Sequence, residues 1–392
     1  YARVTGVQTC ALPILDNQSQ PHKRGYLIAV CFMLLFGTCT SVCMKVMLAI
    51  ESPGYKGIRH DFDKPFMQSF LMFFGMAFSY FIAHVWDPEK QGKKLSTSWK
   101  QRIIIAIPSA FDLFASTLMT FGLIYINVSI FQMLRGSMVI FSAILTIIFL
   151  KKKIPCYRWF SICITIIALV MIGFAGIYIP SVSDKNEEDD SKKFSSGQKL
   201  FGAILVILSQ LVQAGQIVIE EFVLKNVNMP ALEIVGWEGI WGLVMMVLVA
   251  FPFAFIVPGQ DPSPLGHSLE NFMDSFTQLF SSKSVFLVSI IFIIAVLAYN
   301  MFGMLVTSHS SAVNRTILEA ARTVLIWIVM LICAYSGAPF GELWVNWSFL
   351  ELFGFIFLVT ATFLYNAILK LPFFKYDDEE KKIDDCAPLT QE

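Results

Sequence analysis

Two short polar pairs interrupt otherwise apolar stretches of the chain. Gln132 and Arg135 lie near the start of the run 129–150, and Glu319 and Arg322 lie inside the run 312–335. A separation of three residues puts both members of each pair on one helical face. An arginine in a membrane-crossing helix costs roughly 3 kcal/mol on insertion scales, so it is expected to face protein or a wet cavity. A third set, Ser209, Gln213, Gln216 and Glu220, has spacings of four, three and four and forms one stripe, with Glu221 beside it. Asp112 follows Pro108 by one turn, Glu238 stands between Trp237 and Gly239, and Asn300 lies in a further apolar run. Guanidinium, carboxylate and amide groups of this kind suit recognition of a small polar solute. The five histidines, His22, His60, His84, His267 and His309, have no metalloprotease spacing, and no nucleophile–base pair is evident. These residues are therefore expected to bind rather than catalyse, with no enzyme activity, no metal and no cofactor.

Structural readings compete at each position. Arg135 could snorkel to the nearer membrane surface or bridge two helices. The glutamine stripe could be a polar seam that holds helices together. Lys45, near the end of the first apolar run, fits snorkelling as well as function.

Composition sets the frame for these side chains. Of 392 residues, 56% are hydrophobic and only 15% are charged. A soluble fold cannot hide that much apolar surface, so the chain reads as a polytopic membrane protein with lipid around it. Its zero formal net charge argues against binding nucleic acid. The eight cysteines fall mostly in apolar runs or at their ends, so neither a structural disulfide nor a zinc site is expected.

Ten runs are long enough to cross a bilayer: about 25–50, 65–86, 103–124, 129–150, 156–179, 200–223, 231–257, 284–306, 312–335 and 346–369. Residues 1–24 form an N-terminal segment, of which 1–14 lack an initiator methionine and read as non-native and disordered. The acidic, serine-rich stretch 180–199 reads as a lumenal linker between two transmembrane repeats, 25–179 and 200–370. A charged cytosolic tail, 371–392, follows. Loops 51–64 and 258–283 are polar. Pro108 should loosen its helix, and Gly236, Gly239 and Gly242, three apart, should present a flat face. About twice as many Lys and Arg flank the runs on the side of the termini as on the other side, which puts both termini in the cytosol.

The two polar pairs also mark a repeat. Residues 131–135 lie over 318–322, Ser129 lies over Thr316, and both helices continue as apolar runs. Five spans per half is an odd number, so the second half enters the membrane from the opposite side. The expected fold is an all-α membrane protein of ten transmembrane helices arranged as two inverted five-helix repeats. That arrangement serves alternating access about a midplane site.

Several stretches resemble a known family. They are Pro65-Phe66-Met67-Gln68, the segment 129–136, Glu220-Glu221, Val235-Gly236-Trp237-Glu238-Gly239, the segment 322–327 and Leu364-Tyr365-Asn366. Together they resemble the drug/metabolite transporter superfamily, in its EamA-like solute carrier family 35, F-type branch, related to the chloroquine-resistance-type transporters. The resemblance spans about residues 30 to 372 and implies ten helices, two inverted repeats and solute transport in endomembranes, lysosomal or Golgi. Gly75-Met76 departs from the Gly-Glu usual in that branch, which puts a role for a carboxylate in the second span in doubt. The family resemblance does not imply a particular solute.

The expected function is secondary active transport of a small organic solute by alternating access. The alternatives are a nucleotide-sugar transporter or antiporter, and a non-transporting membrane scaffold. In or beside the polar faces stand Asp112, Glu220, Glu221, Glu238 and Glu319, against Lys45, Arg135 and Arg322. A desolvated carboxylate titrates near neutral pH. The acidic surplus therefore favours a cationic or zwitterionic, proton-coupled solute over a nucleotide-sugar, whose phosphates want surplus arginine and lysine. The oligomeric state is left open.

Overall fold

The computed structural model describes residues 20–86, 99–138, 140–141, 144–145, 155–178, 195–226, 231–259, 268–309, 312–337, 341–365, 367–372 and 374. The segment 1–14, residues 180–194 of the linker 180–199 and most of the tail 371–392 lie outside the described residues.

Apolar composition and length make the chain helical. The helices are α1 (Gln20–Leu48), α2 (Pro65–Trp86), α3 (Trp99–Ile104), α4 (Ala106–Tyr125), α5 (Val128–Leu134), α6 (Cys156–Tyr178), α7 (Ser196–Asn226), α8 (Ala231–Met245), α9 (Phe251–Ile256), α10 (Phe272–Ser281), α11 (Lys283–His309), α12 (Ala312–Tyr335) and α13 (Trp347–Tyr365). Among the described residues, eight helical stretches are long and apolar enough to cross a membrane. The expected fourth span is described in part, as α5 and the 3-10 turn Arg135–Ser137. The expected ninth span lies in α12, whose apolar portion, Arg322–Tyr335, is shorter. The third span begins at Trp99 rather than 103 and is interrupted at Ile105. Pro108 explains the interruption, because it has no N–H for the Ile104 carbonyl and its ring crowds that oxygen.

Four helix pairs dominate the packing: α1 with α11, α2 with α8, α4 with α7, and α6 with α13. The α2–α8 contact shows how. A Cβ at Gly236 or Gly239 would strike the α2 backbone at Tyr80 or Ala77, and one at Gly242 would strike the Phe73 ring. The three-residue glycine spacing thus lets two helices meet backbone to backbone. One apolar core gathers Leu123, Phe131, Met133, Ile172, Val206, Met330 and Leu358, and a second gathers Met47, Phe62, Met67, Phe73, Met246, Phe292 and Val296.

Polar loops 51–64 and 258–283 are more ordered than their composition suggests. The first folds into a hairpin, β1 (Glu51–Pro53) with β2 (Arg59–Asp61), and the second contains α10. They lock together as a cap over one end of the bundle. Lys64 Nζ is 2.8 Å from Asp274 Oδ2, and His60 Nε2 is 3.2 Å from the same oxygen. The Tyr55 N–H donates to Asp274 Oδ1 at 2.7 Å. Gln278 Nε2 donates to the Ser52 and His60 carbonyls at 3.4 and 3.2 Å. Helix α2 starts at Pro65, a residue suited to the first helical position. Its next two N–H groups, of Phe66 and Met67, donate to the Glu270 carboxylate at 2.7 and 3.0 Å.

Candidate functional site

The two arginines singled out in the sequence converge on one side chain. Arg135 donates from Nη1 to Gln132 Oε1 at 3.3 Å, within its own helical turn. Arg322, from α12, reaches the same oxygen with Nη2 at 3.5 Å. Gln132 in turn donates to Ser41 Oγ of α1 at 2.7 Å, and the Arg322 guanidinium lies 5.0 Å from the centre of the Tyr299 ring of α11. Gln132 and Arg322 are buried, and Arg135 is half-buried. Four helices thus place two guanidinium groups around one amide. A protein interior of low dielectric strengthens such hydrogen bonds and raises the cost of leaving one unmade. The backbone makes room for this at Gly37, where a Cβ would stand 2.8 Å from Arg322 Cδ and 2.9 Å from the Tyr299 ring.

The carboxylates form a separate group. Glu238 of α8 accepts from Gln216 Nε2 of α7 at 3.0 Å, and its backbone carbonyl accepts from Ser109 Oγ of α4 at 2.7 Å. Asp112, one turn along α4 from Ser109, is buried. Gln213, one turn before Gln216, has its Oε1 buried without a hydrogen-bond partner among the described residues. Asp112, Gln216 and Glu238 are thus buried where α4, α7 and α8 meet.

The remaining candidates divide. Asn300, beside Tyr299, donates to the Val296 carbonyl of its own helix at 2.9 Å. The side chains of Glu220, Glu221 and Glu319 lie outside the described residues. Lys45, which the sequence left between snorkelling and function, donates to the carbonyls of Leu123 and Ile126, both at 3.0 Å. Those oxygens belong to the C-terminal end of α4, where a cation complements the helix dipole and ties down orphan carbonyls. Lys45→Met is expected to destabilise the fold by about 1–3 kcal/mol, read as a lowered unfolding midpoint in detergent. An unchanged midpoint would contradict the capping role.

Ser41 and Tyr299 had not been picked out for the site. Ser41 carried a signal only as part of the small-residue run Gly37-Thr38-Cys39-Thr40-Ser41, and Tyr299 only as the neighbour of Asn300.

Comparison with known proteins agrees with this architecture. Residues 23–174 match the EamA-like transporter family. The chain is 28% identical to human solute carrier family 35 member F6 over 342 residues, covering 86% of this chain and 87% of that protein. The rat protein of the same name is 29% identical over 343 residues, with the same coverage of both chains. An uncharacterized Schizosaccharomyces pombe protein is 26% identical over 273 residues, covering 70% of this chain and 76% of its own. With apolar helices that can cross a bilayer and polar side chains buried between them, the chain is a multi-pass membrane protein similar to the EamA-like transporter family over residues 23–174 and to solute carrier family 35 member F6 over most of its length, a likeness that supports transport of small solutes.

Proposed function

We propose that the protein is a secondary active transporter that carries a small zwitterionic organic solute across an endomembrane, lysosomal, vacuolar or Golgi, by alternating access. The observation that carries this reading is the segregation of charge. Arg135 and Arg322 meet at Gln132 on one set of helices, and Glu238 with Gln216 occupies another, with Asp112 buried nearby on α4. With Lys45 engaged by α4 carbonyls, the described charges balance two against two, so the acidic surplus expected from the sequence narrows to a dipolar arrangement. A solute carrying an anionic and a cationic group at opposite ends complements such a site.

Alternating access draws support from the packing. In the ten-span scheme, the dominant pairs are spans one with eight, three with six, two with seven, and five with ten. Advancing every span by five exchanges the first two pairs and returns the other two to themselves. Two inverted repeats related by a two-fold axis have this property. In this scheme both termini are cytosolic, and the cap covers the lumenal end.

The solute is identified by untargeted metabolite comparison of organelles with and without the protein. Its flux is then followed in proteoliposomes across an imposed pH gradient, for wild type, Asp112→Asn and Glu238→Gln. We expect flux driven by the gradient and weakened at least about tenfold by loss of either carboxylate. Flux that ignores both the gradient and the substitutions would remove proton coupling. Selective uptake of a nucleotide-sugar would overturn the charge argument.

A further inference from the structure

The cap holds a second ionisable cluster, away from the arginine and carboxylate groups described above. Its members come from both halves of the chain. His60 and Lys64 belong to the hairpin segment between the first two spans, and Glu270 and Asp274 to the segment around α10. Lys64, Glu270 and Asp274 are buried to within 1% of complete, and His60 is half-buried. Glu270 also accepts from Ser275 Oγ at 3.1 Å, and Gln278 Nε2 lies 3.1 Å from His60 Nδ1. Glu51, Lys56, Arg59, Asp61 and Asp63 of the hairpin segment and Lys283 at the start of α11 are solvent-exposed. The packed faces of α2, α9 and α11 against the cap offer apolar side chains, among them Phe66, Phe70, Phe251 and Val285, together with Ser289.

Formal charge in this pocket depends on protons. Lys64 and Asp274 cancel. With Glu270 ionised and His60 neutral the cluster carries one net negative charge, and one proton on either group brings it to zero. Burial penalises the uncompensated state. The Glu270 carboxylate is also the group that ties the α10 segment to the start of α2, so its protonation state and closure of the cap are linked.

We propose that the cap is a proton-binding lock: closing it takes up protons at Glu270 and His60, so acid on that side holds the end of the bundle shut and a rise in pH releases it. Burial pushes Glu270 up to about 7, against the pull of Lys64 and of the Phe66 and Met67 N–H groups. The hydrogen bond to Asp274 raises His60 above its ordinary value. An open cap returns both groups to water and to ordinary values. Both groups therefore bind protons more tightly when the cap is closed, and the stabilisation they give is present at low pH and lost as pH rises through the closed-state values. Asp274 behaves oppositely. Burial raises it, but hydrogen bonds from His60, Lys64 and Tyr55 outweigh this and hold it well below the usual carboxylate range, so it stays ionised throughout. Linkage from Glu270 alone lowers the closing constant about tenfold between about pH 6 and pH 8. The role of this lock as a gate rests on the transporter reading, but proton-linked closure does not.

Hydrogen exchange of the full-length protein, followed by mass spectrometry, tests the lock without any solute. Protection is corrected for the intrinsic pH dependence of exchange in peptides covering residues 50–67 and 268–282, with peptides from α6 as reference. In wild type it should fall at least about tenfold between about pH 6 and pH 8 in the cap peptides only. Glu270→Gln, a neutral isostere, should reduce the fall to what His60 supplies, and Glu270→Gln with His60→Gln should abolish it. If Glu270→Gln does not fold, His60→Gln alone must show a smaller fall than wild type. Equal wild-type protection at both pH values, or the full fall persisting in the double or the His60 variant, would overturn the proposal. No transport is measured, so failure of the solute reading leaves this result standing, and the reverse holds.

Discussion

Lys64→Met is expected to destabilise the protein by about 3–5 kcal/mol, the usual cost of leaving a buried charge without its partner. Lys64 sits 2.8 Å from Asp274, and both side chains are sealed from solvent. Removing the ammonium leaves Asp274 with His60 and the Tyr55 N–H, which cannot supply a permanent charge. Adding Asp274→Asn should recover most of the loss, because an asparagine oxygen still accepts from Tyr55 while the uncompensated charge is gone. The measurement is chemical unfolding in detergent for the two single variants and the pair, analysed as a double-mutant cycle. A Lys64→Met loss under about 1 kcal/mol, or a pair no better than the worse single variant, would show that the cap does not depend on this ion pair.

Arg322→Ala is expected to abolish transport, with flux reduced about a hundredfold, the scale of a lost buried hydrogen bond to a charged group. Three contacts are removed together: the hydrogen bond to Gln132, the stacking over Tyr299, and the aliphatic stem beside Gly37. Arg322→Lys should restore charge but not function, since a lysine cannot present a planar guanidinium to both Gln132 and the Tyr299 ring. Arg135→Ala should fall less far, because Arg135 is only half-buried. Initial rates in proteoliposomes, alongside elution of the detergent-solubilised variants as a single folded species, separate loss of function from loss of fold. A well-folded Arg322→Ala protein that moves the solute at the wild-type rate would remove the arginine pair from the site.

The apolar helices were legible because length and composition alone make a span. The Gly236, Gly239 and Gly242 face was legible because its period is local. Gln132, Arg135 and Arg322 were legible as ionic or polar groups in places where lipid would penalise them. Their meeting point was not, since Ser41 and Tyr299 come from helices distant in sequence and carry no charge to advertise themselves. The cap was missed for a different reason. Its strands are three residues long, and α10 mixes polar and apolar residues on its inner side. Asp274, Ser275 and Gln278 are buried together with Leu279, while Met273 and Phe280 point outward. A reader who assumes that polar residues face water assigns such a segment to a loop.

A π-turn, Met246–Ala250, separates α8 from α9, and Pro252 follows it. Wider winding adds about one residue to the turn, which offsets everything beyond it by about 100° around the axis. That phase offset aims Phe251 at Phe70, Phe272 and Phe276, with ring centres 5.6, 5.9 and 6.3 Å away. The same backbone defect therefore sets the phase at which one aromatic ring meets both the second span and the cap helix. Tightening to regular α geometry would swing that ring out of the cluster altogether.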